Sequence, residues 1–330
     1  TPNRKEDRSK REIYSILSDC DRFFRHHLRK HEISRDAINY MKSRGITGEV
    51  AAKFGIGFAP QAWDNLIKEE EGDPKRLLLL EKAGMLVHKP EEKKKYDRFR
   101  NRIVFPIRDQ RGRTVGFGGR VLDESKPKYL NSPETPVFQK SRELYGLYEA
   151  RKASNRLLEL IIVEGYMDVI GLSKNGIENT VANLGTALTS KQIQILNRFF
   201  NHIIICFDGD QSGYKAALRA AENIIDELIS NYSSKLDWGV SWIKFVAAVA
   251  PLLGLLGTVI GMIETFHAIT LFGTGDPKQM AGGISQALVT TMLGLIVAAP
   301  LLGFYTYISD RVNTLVQVVE EKGSYLLSKE

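Results

Sequence analysis

A chain of 330 residues that is 43% hydrophobic and 26% charged has room for two or three domains, and its two cysteines exclude a disulfide-stapled scaffold. The formal charge of +7 is unevenly spread: from residue 236 onward five basic residues face seven acidic ones, about −2, which leaves about +9 for the front. A basic front with an apolar back implies different solvents and different partners, with nucleic acid a candidate for the front. Cys20 and Cys206 form no CxxC pair, so no zinc ribbon is expected, and a reducing cytoplasm fits. The charged run Arg4-Lys-Glu-Asp-Arg8 has no apolar core behind it and does not read as a signal peptide.

Residues 1–45 read as helical, with Tyr14, Leu17, Phe24 and Leu28 at helical spacing and Phe23 adding bulk to that face. Between 60 and 90, helix and turns alternate around a buried run, Leu77 to Leu80, and a stop at Gly84. Glu91 to Lys95 is a charge cluster expected in an exposed loop. The texture then changes: Arg102 to Arg108 is strand-like, Gln110 to Arg113 is a turn, and Thr114 to Arg120 is a hairpin partner. Residues 160–210 alternate strands (Leu160–Val163, Thr180–Asn183, Ile203–Phe207) with helices (Tyr166–Lys174, Ser190–Phe200), and a third helix runs from Gly213 to about Ile229. Apolar strands linked by helices predict an α/β fold with a parallel sheet. Beyond 240, Phe245–Ile263 and Gly282–Ser309 lack any charge, and each suffices to span a bilayer. Their frequent glycines (Gly254, Gly257, Gly261, Gly282, Gly283, Gly294) suit close helix contact in a membrane.

Glu164 and Asp208 each follow an apolar strand; Asp168 lies four residues past the first and Asp210 two past the second. Adjacent parallel strands bring such carboxylates together at the ligand-binding end of a sheet, where mutual repulsion calls for a cation. Mg²⁺, an oxygen-seeking ion that bridges carboxylates to phosphates, suits phosphoryl or nucleotidyl transfer. Helix capping is the alternative use of the same carboxylates, and the residue pattern leaves both open.

Val163-Glu-Gly-Tyr-Met-Asp168 followed by Phe207-Asp-Gly-Asp210 resembles the TOPRIM domain of DnaG-type primases. Arg98 to Arg108, Val115 to Arg120, Lys128-Tyr-Leu-Asn-Ser-Pro-Glu-Thr135 and Leu144-Tyr-Gly-Leu147 agree with the same family in order and spacing, over about two-thirds of the chain. The resemblance implies a catalytic core that makes short RNA primers on a single-stranded DNA template from NTPs, by two-metal transfer with Mg²⁺ or Mn²⁺ and no zinc site in this chain. It assigns Glu164, Asp208 and Asp210 to catalysis, and Glu164, Asp168, Asp208 and Asp210 to metal. Arg44, Arg120, Lys128, Tyr129 and Lys140 fall on the cleft that contacts nucleotide and template. Two departures stand out. The zinc ribbon and helicase-interacting domain of the family have no counterpart in this sequence. The family's third acidic pair, Asp-x-Asp, does not follow Ala216–Glu222, so the TOPRIM sheet reads as truncated.

Ala250-Pro-Leu-Leu-Gly-Leu-Leu-Gly-Thr-Val-Ile-Gly-Met262, Gly282 to Leu295 and Ala299-Pro300 resemble the second and third membrane helices of ExbB/TolQ/MotA-type channel subunits. That resemblance implies a homo-oligomer with ExbD- and TonB-type membrane partners, and places Thr258, Gln286 and Thr291 at the pore. Gln286 stands where the family's commonest pore carboxylate would be, and an amide carries no titrating proton. Glu264 and His267 sit near the outer end of the first helix, where they either titrate or mark the membrane interface. The expected organisation is a primase-like α+β subdomain (1–150), a partial TOPRIM domain (151–222), a junction (223–240) and an all-α transmembrane helix pair (241–330). The whole reads as a chimera of two pieces. The front is expected in the cytoplasm and the helix pair in the inner membrane, with both chain ends cytoplasmic.

Overall fold

The computed structural model describes residues 2–89, 94–153, 159–185, 187–272 and 277–328. Two compact units divide it, Thr1–Asn223 and Ile224–Glu330. In chain order the first holds α1 (Pro2–Arg29), α2 (His31–Ser43), α3 (Gly48–Phe54), β1 (Gly57–Ala59), α4 (Asn65–Glu69), α5 (Pro74–Lys82), β2 (Leu86–Lys89), β3 (Lys94–Asp97), β4 (Arg102–Arg108), β5 (Thr114–Val121) and β6 (Tyr129–Asn131). It continues with α6 (Leu147–Ala153), β7 (Glu159–Val163), α7 (Tyr166–Lys174), β8 (Thr180–Ala182), α8 (Ser190–Leu196) and β9 (His202–Ile205). Two long helices complete the chain, α9 (Gln211–Phe272) and α10 (Pro277–Ser328).

Helix α1 buries Ile13, Ile16, Leu17, Cys20, Phe24 and Leu28, a stripe at three- and four-residue steps. It packs on an antiparallel sheet of order β1-β4-β5-β6. Gly57 is required at that contact, since a Cβ there would lie 2.5 Å from that of Phe24. Strands β4 and β5 are buried on both faces, because the sheet is the middle layer. Val104 and Phe117 face α1, whereas Ile103, Phe105, Ile107 and Val115 join Tyr145, Val163, Tyr166 and Val169 on the other side. The second contact is aromatic: the rings of Phe105 and Tyr166 stack 5.3 Å apart, 4° from parallel.

The parallel sheet has order β8-β7-β9, with Ile161 opposite Thr180 on one side and Ile204 on the other. The expected strands and α7 therefore form, and α7 spans the predicted Tyr166–Lys174. Three expectations are corrected. Lys94 and Lys95 belong to β3 rather than to a loop, because a β2–β3 ladder pairs them with Lys89 and His88; Glu91–Lys93 lie outside the described residues. The run Leu77–Leu80 is not uniformly buried: four consecutive residues point around a helix, so Leu80 is fully buried and Leu78 is 48% exposed. Helix α8 stops at Leu196 and not Phe200, after a capping box in which the Thr189 and Gln192 side chains each bond the other's backbone N–H.

The second unit is an antiparallel hairpin built on small residues. A Cβ on Gly254 would lie 3.0 Å from the Thr290 carbonyl, and one on Gly294 would lie 2.8 Å from the Ala250 carbonyl. At the other end a Cβ on Gly261 would meet the Gly283 carbonyl at 2.8 Å. Thr291 Oγ1 also reaches across to the Gly254 carbonyl at 3.4 Å. Asp237–Leu271 and Ala281–Glu321 are long and apolar enough to cross a membrane, with mean hydropathy 2.3 and 2.1. Only 17% and 11% of these stretches are buried, so their leucines, isoleucines and valines face outward, unlike those of a helix inside a soluble core. Pro251 and Pro300 each remove one i→i−4 bond, to the carbonyls of Ala247 and Ile296, without ending their helices. Trp238, Trp242 and Phe245 meet edge-to-face in series along α9. Lys244 lies over the Tyr305 ring and Arg311 over the Tyr307 ring, an amphipathic belt at one end of the hairpin.

Candidate functional site

The parallel strands aim their carboxyl ends at one place. Glu164 directly follows β7, and one of its oxygens accepts the Asp208 backbone N–H at 3.0 Å, which ties it to the loop after β9. That loop remains laddered to β7 through the Cys206 N–H and the Ile162 carbonyl at 2.8 Å. Gly213 opens the first turn of α9 against the same carboxylate: a Cβ there would lie 2.8 Å from Glu164 Oε1. Asp210 accepts from the Gly213 N–H at 2.7 Å and the Ser212 hydroxyl at 2.9 Å, and these bonds hold its carboxyl below the usual range. Asp168 accepts the Gly165 N–H at 3.0 Å across the start of α7. Burial raises its pKa, the Gly165 bond opposes this, and the negative charge of Asp208 raises it further.

The capping use is present: Asp168 and Asp210 cap helices, while Glu164 binds the Asp208 backbone between the ends of β7 and β9. Among the described residues, however, no three His, Cys, Asp or Glu side chains come close enough together to hold a metal ion. The donors match a hard cation in kind, being all carboxylate oxygen, but a ready-made three-carboxylate cage is not formed.

Beside the carboxylates runs a row of alternating cations and rings. The Arg44 guanidinium lies 5.6 Å from the Tyr40 ring, and Arg120 lies 4.7 Å from the same ring and 5.3 Å from that of Tyr129. Arg120 also donates to the Tyr129 hydroxyl at 2.6 Å, while its own Nε is buried without a partner. Tyr129 leads toward the acids: burial raises its pKa, Arg120 lowers it, and the charge of Asp168 is felt there. Lys128 is exposed beside Tyr129. Lys140 is held by its backbone, which accepts from Gln192 Nε2 at 3.0 Å and donates to Glu134 at 2.9 Å. The backbone of Arg44 is fixed by Lys174, whose ammonium donates to its carbonyl at 2.8 Å.

Two features were missed in the sequence. Asn131 accepts from the Tyr166 hydroxyl at 2.6 Å and donates to the Leu184 carbonyl at 2.9 Å, so one amide ties the Tyr129 strand to the start of α7 and to the loop after β8. It lay inside the motif Lys128–Thr135 without a role. Trp63 is 60% exposed, meets Tyr96 edge-on at 5.2 Å and carries the Arg100 guanidinium 3.9 Å over its ring. A tryptophan in the polar turn Pro60–Asn65, where no core position calls for one, was its only signal.

In the hairpin, Thr291 sits on the helix seam and Thr258 is half-buried, its hydroxyl spent on the Leu255 carbonyl at 2.6 Å. Gln286 is exposed, one residue from the buried seam residue Ala287.

Residues 23–151 match the DNA primase catalytic core, N-terminal domain, and residues 192–321 match the MotA/TolQ/ExbB proton channel family. The DNA primase of Pseudomonas aeruginosa is 54% identical over 216 residues, 66% of this chain and 32% of that protein. The DNA primase of Escherichia coli K12 is 46% identical over 224 residues, 68% of this chain and 38% of that protein. The chain spans about a third of the length of the curated relatives it matches. A solved DnaG primase catalytic domain bound to ssDNA is 46% identical with a TM-score of 0.63, over 66% of this chain and 68% of that one. A primase domain from Pseudomonas aeruginosa is 38% identical with a TM-score of 0.63, over 88% of this chain and 99% of that one. Through its first two-thirds the chain belongs to the DnaG-type primase family, and it carries a segment of the MotA/TolQ/ExbB proton channel family behind it.

Proposed function

We propose that the front unit is a DNA primase-type nucleotidyl-transfer core whose metal site is incomplete, held at a membrane by the helix hairpin. The observation that carries this reading is that Glu164 holds the Asp208 backbone at the end of one parallel sheet, with Asp168 near enough for its charge to be felt at Tyr129 of the Arg120 row. Arg44, Arg120, Lys128 and Lys140 would hold the phosphates of an NTP and of the template, and Tyr129 would meet a ring face. Trp63 and Arg100 offer a second stacking platform for single-stranded DNA. Glu164, Asp208 and Asp210, with Asp168 behind them, would hold Mg²⁺ or Mn²⁺, which when bound lowers the pKa of an attacking hydroxyl and neutralises a leaving pyrophosphate. The chain's own carboxylates would orient that cation, and Asn131 holds the Tyr129 strand to Tyr166, two residues past Glu164. The third acidic pair of the family has no match, so primer synthesis should be absent or very weak. Full-length chain should bind labelled single-stranded DNA and incorporate at most traces of ribonucleotide, and Glu164→Gln should remove those traces. Incorporation at the rate of an intact primase core would refute the incompleteness, and failure to bind DNA or NTP would refute the core itself.

A second reading is favoured by the hairpin's outward apolar surface and small-residue seam: an ExbB/TolQ-like inner-membrane component, self-assembling around ExbD-type helices and working on a TonB-type protein. Gln286 argues against direct proton relay at that position. Pentamer formation in detergent with an ExbD-type partner supports this reading; a monomeric chain that ignores such a partner counts against it. A composite in which neither activity survives would bind neither DNA nor the membrane partner.

A further inference from the structure

Helices α1, α2 and α3 meet around a cavity of about 410 Å³ in the front unit. The turns between them fix its walls. The buried Ser34 hydroxyl closes the α1–α2 corner on the Leu28 carbonyl at 2.7 Å and the Lys30 carbonyl at 3.0 Å. Helix α2 ends at Gly45 in the left-handed region, and the Ile46 N–H returns to the Met41 carbonyl at 2.9 Å. Helix α3 ends in the same way at Gly55, with the Ile56 N–H on the Ala51 carbonyl at 2.8 Å. Leu28, Met41, Ile46 and Ile56 supply apolar wall, and α3 presents Gly48, Ala51 and Ala52, whose side chains are too short to fill the space. A Cβ on Gly48 would meet nothing within 4 Å.

The charge around this cavity has one sign. Arg25, Arg29 and Lys42 line it, and no Asp or Glu does. Arg25 pairs with Asp21 at 2.6 Å, whereas Arg29 and Lys42 have no carboxylate partner among the described residues. The neighbouring cavity shows the contrast: its Lys53 and Arg108 are already paired with Glu178 and Glu149 of its own lining. We infer that the α1–α2–α3 cavity binds a small apolar acid, with an aliphatic or aryl body against Leu28, Met41, Ile46 and Ile56 and one carboxylate at Arg29 and Lys42. The size falls within the roughly 300–1,000 Å³ of small-molecule sites, which pair apolar walls with a few polar groups. An amphipathic helix of a partner lies along a groove with anchors at i, i+4 and i+7, and a pocket bounded by three helices does not offer that length. The site is separate from the carboxylate ends of β7 and β9, and the inference stands without the primase reading.

The test uses full-length chain in nanodiscs, carrying carbon-13 at its methionine methyls and followed by nuclear magnetic resonance. Met41 lines the cavity, Met85 lies elsewhere in the front unit, and Met262 and Met292 lie in the hairpin. Octanoate is the probe, and octan-1-ol, with the same chain length and no charge, is the comparison. The expected result is a saturable shift of the Met41 methyl, with octanoate effective at a concentration at least about tenfold lower than octanol, and no shift at Met85. Arg29→Gln combined with Lys42→Gln should bring the affinity for the acid down to that for the alcohol. Ala51→Leu, which fills the cavity, should remove both shifts, with circular dichroism reporting the fold of each variant. Equal affinity for octanoate and octanol in the unaltered chain overturns the anionic assignment. A Met41 shift that never saturates, or that appears only together with shifts at Met262 and Met292, shows the acid entering the lipid and overturns the site.

Discussion

Arg120→Ala probes the cleft where its geometry is most explicit. The guanidinium rests 4.7 Å from the Tyr40 ring and 5.3 Å from the Tyr129 ring, and one amino group is spent on the Tyr129 hydroxyl. Each ring contact is worth about 0.5–1 kcal/mol to the fold, too little to unfold the unit. A phosphate bound by the guanidinium would lose a charge-assisted bond worth about 1.5–3 kcal/mol, a roughly 10- to 150-fold weaker complex. One lost phosphate contact should also reduce the slope of log K against log salt by about 0.7 for a single strand. Arg120→Lys keeps the charge and so the slope, but gives up the planar fork and the ring stack, and should fall between the two. The assay is anisotropy of labelled single-stranded DNA and of a fluorescent ATP analogue across a salt series, with circular dichroism as the folding control. Unchanged affinity and slope in folded Arg120→Ala would refute the assignment of this row to nucleic acid or nucleotide.

Asp97 is 1% exposed, and burial pushes its pKa up to about 6 against backbone N–H bonds, among them one from Leu66 at 2.7 Å. Because the folded pKa lies above the unfolded one, the stability from the bound proton is full below about pH 3.8 and is lost as pH rises through about 6. Asp97→Asn keeps the acceptor without the buried charge, so it should stabilise by about 1–3 kcal/mol near pH 8 and by little near pH 4, read from urea melts. Gly261→Leu would drive a Cβ to within 2.8 Å of the Gly283 carbonyl and should open the hairpin, measured as a longer spin-label distance between α9 and α10; Gly303→Leu, with nothing within 4 Å, should not. Protease added to spheroplasts should cut only around Phe272 to Lys278, because the basic residues Lys244 and Arg311 flank the two spans on the other side. Recovery of the full-length chain in a soluble fraction free of detergent would contradict both spans.

The parallel sheet was legible because Leu160–Val163 and Ile203–Phe207 are short apolar runs ending in carboxylates, and the structure lays them side by side as β7 and β9. Helix α7 was legible to the residue, since Gly165 and Gly176 bracket it. The membrane helices were legible from missing charge, but their true ends were not: α9 runs unbroken from Gln211 through the expected junction at 223–240. Nearly half of residues 214–238 are strong helix formers and none is proline, so nothing local stops the helix, and Gly239 alone is too weak to do so. The β2–β3 ladder was hidden by its lysines, which favour water in any conformation. The Tyr40–Arg120–Tyr129 row was hidden for another reason. Its members lie on α2, β5 and β6, and only the folded chain brings the Tyr40 and Tyr129 rings to the Arg120 cation. The local roles of Asp168 and Asp210 were visible only as an alternative, because a carboxylate at a strand end suits a cap and a cation equally well.

The central claim is that the ends of β7 and β9 form a divalent-cation site serving a nucleotide. Titration of Mn²⁺ into full-length chain in nanodiscs, followed by electron paramagnetic resonance with and without ATP, tests it most directly. The account predicts weak Mn²⁺ binding alone, tighter binding with ATP, whose phosphates supply oxygens the carboxylates leave open, and loss of the ATP-dependent signal in Glu164→Gln and Asp208→Asn. Equal ATP-dependent binding in the unaltered chain and both variants, each shown to be folded, would contradict it.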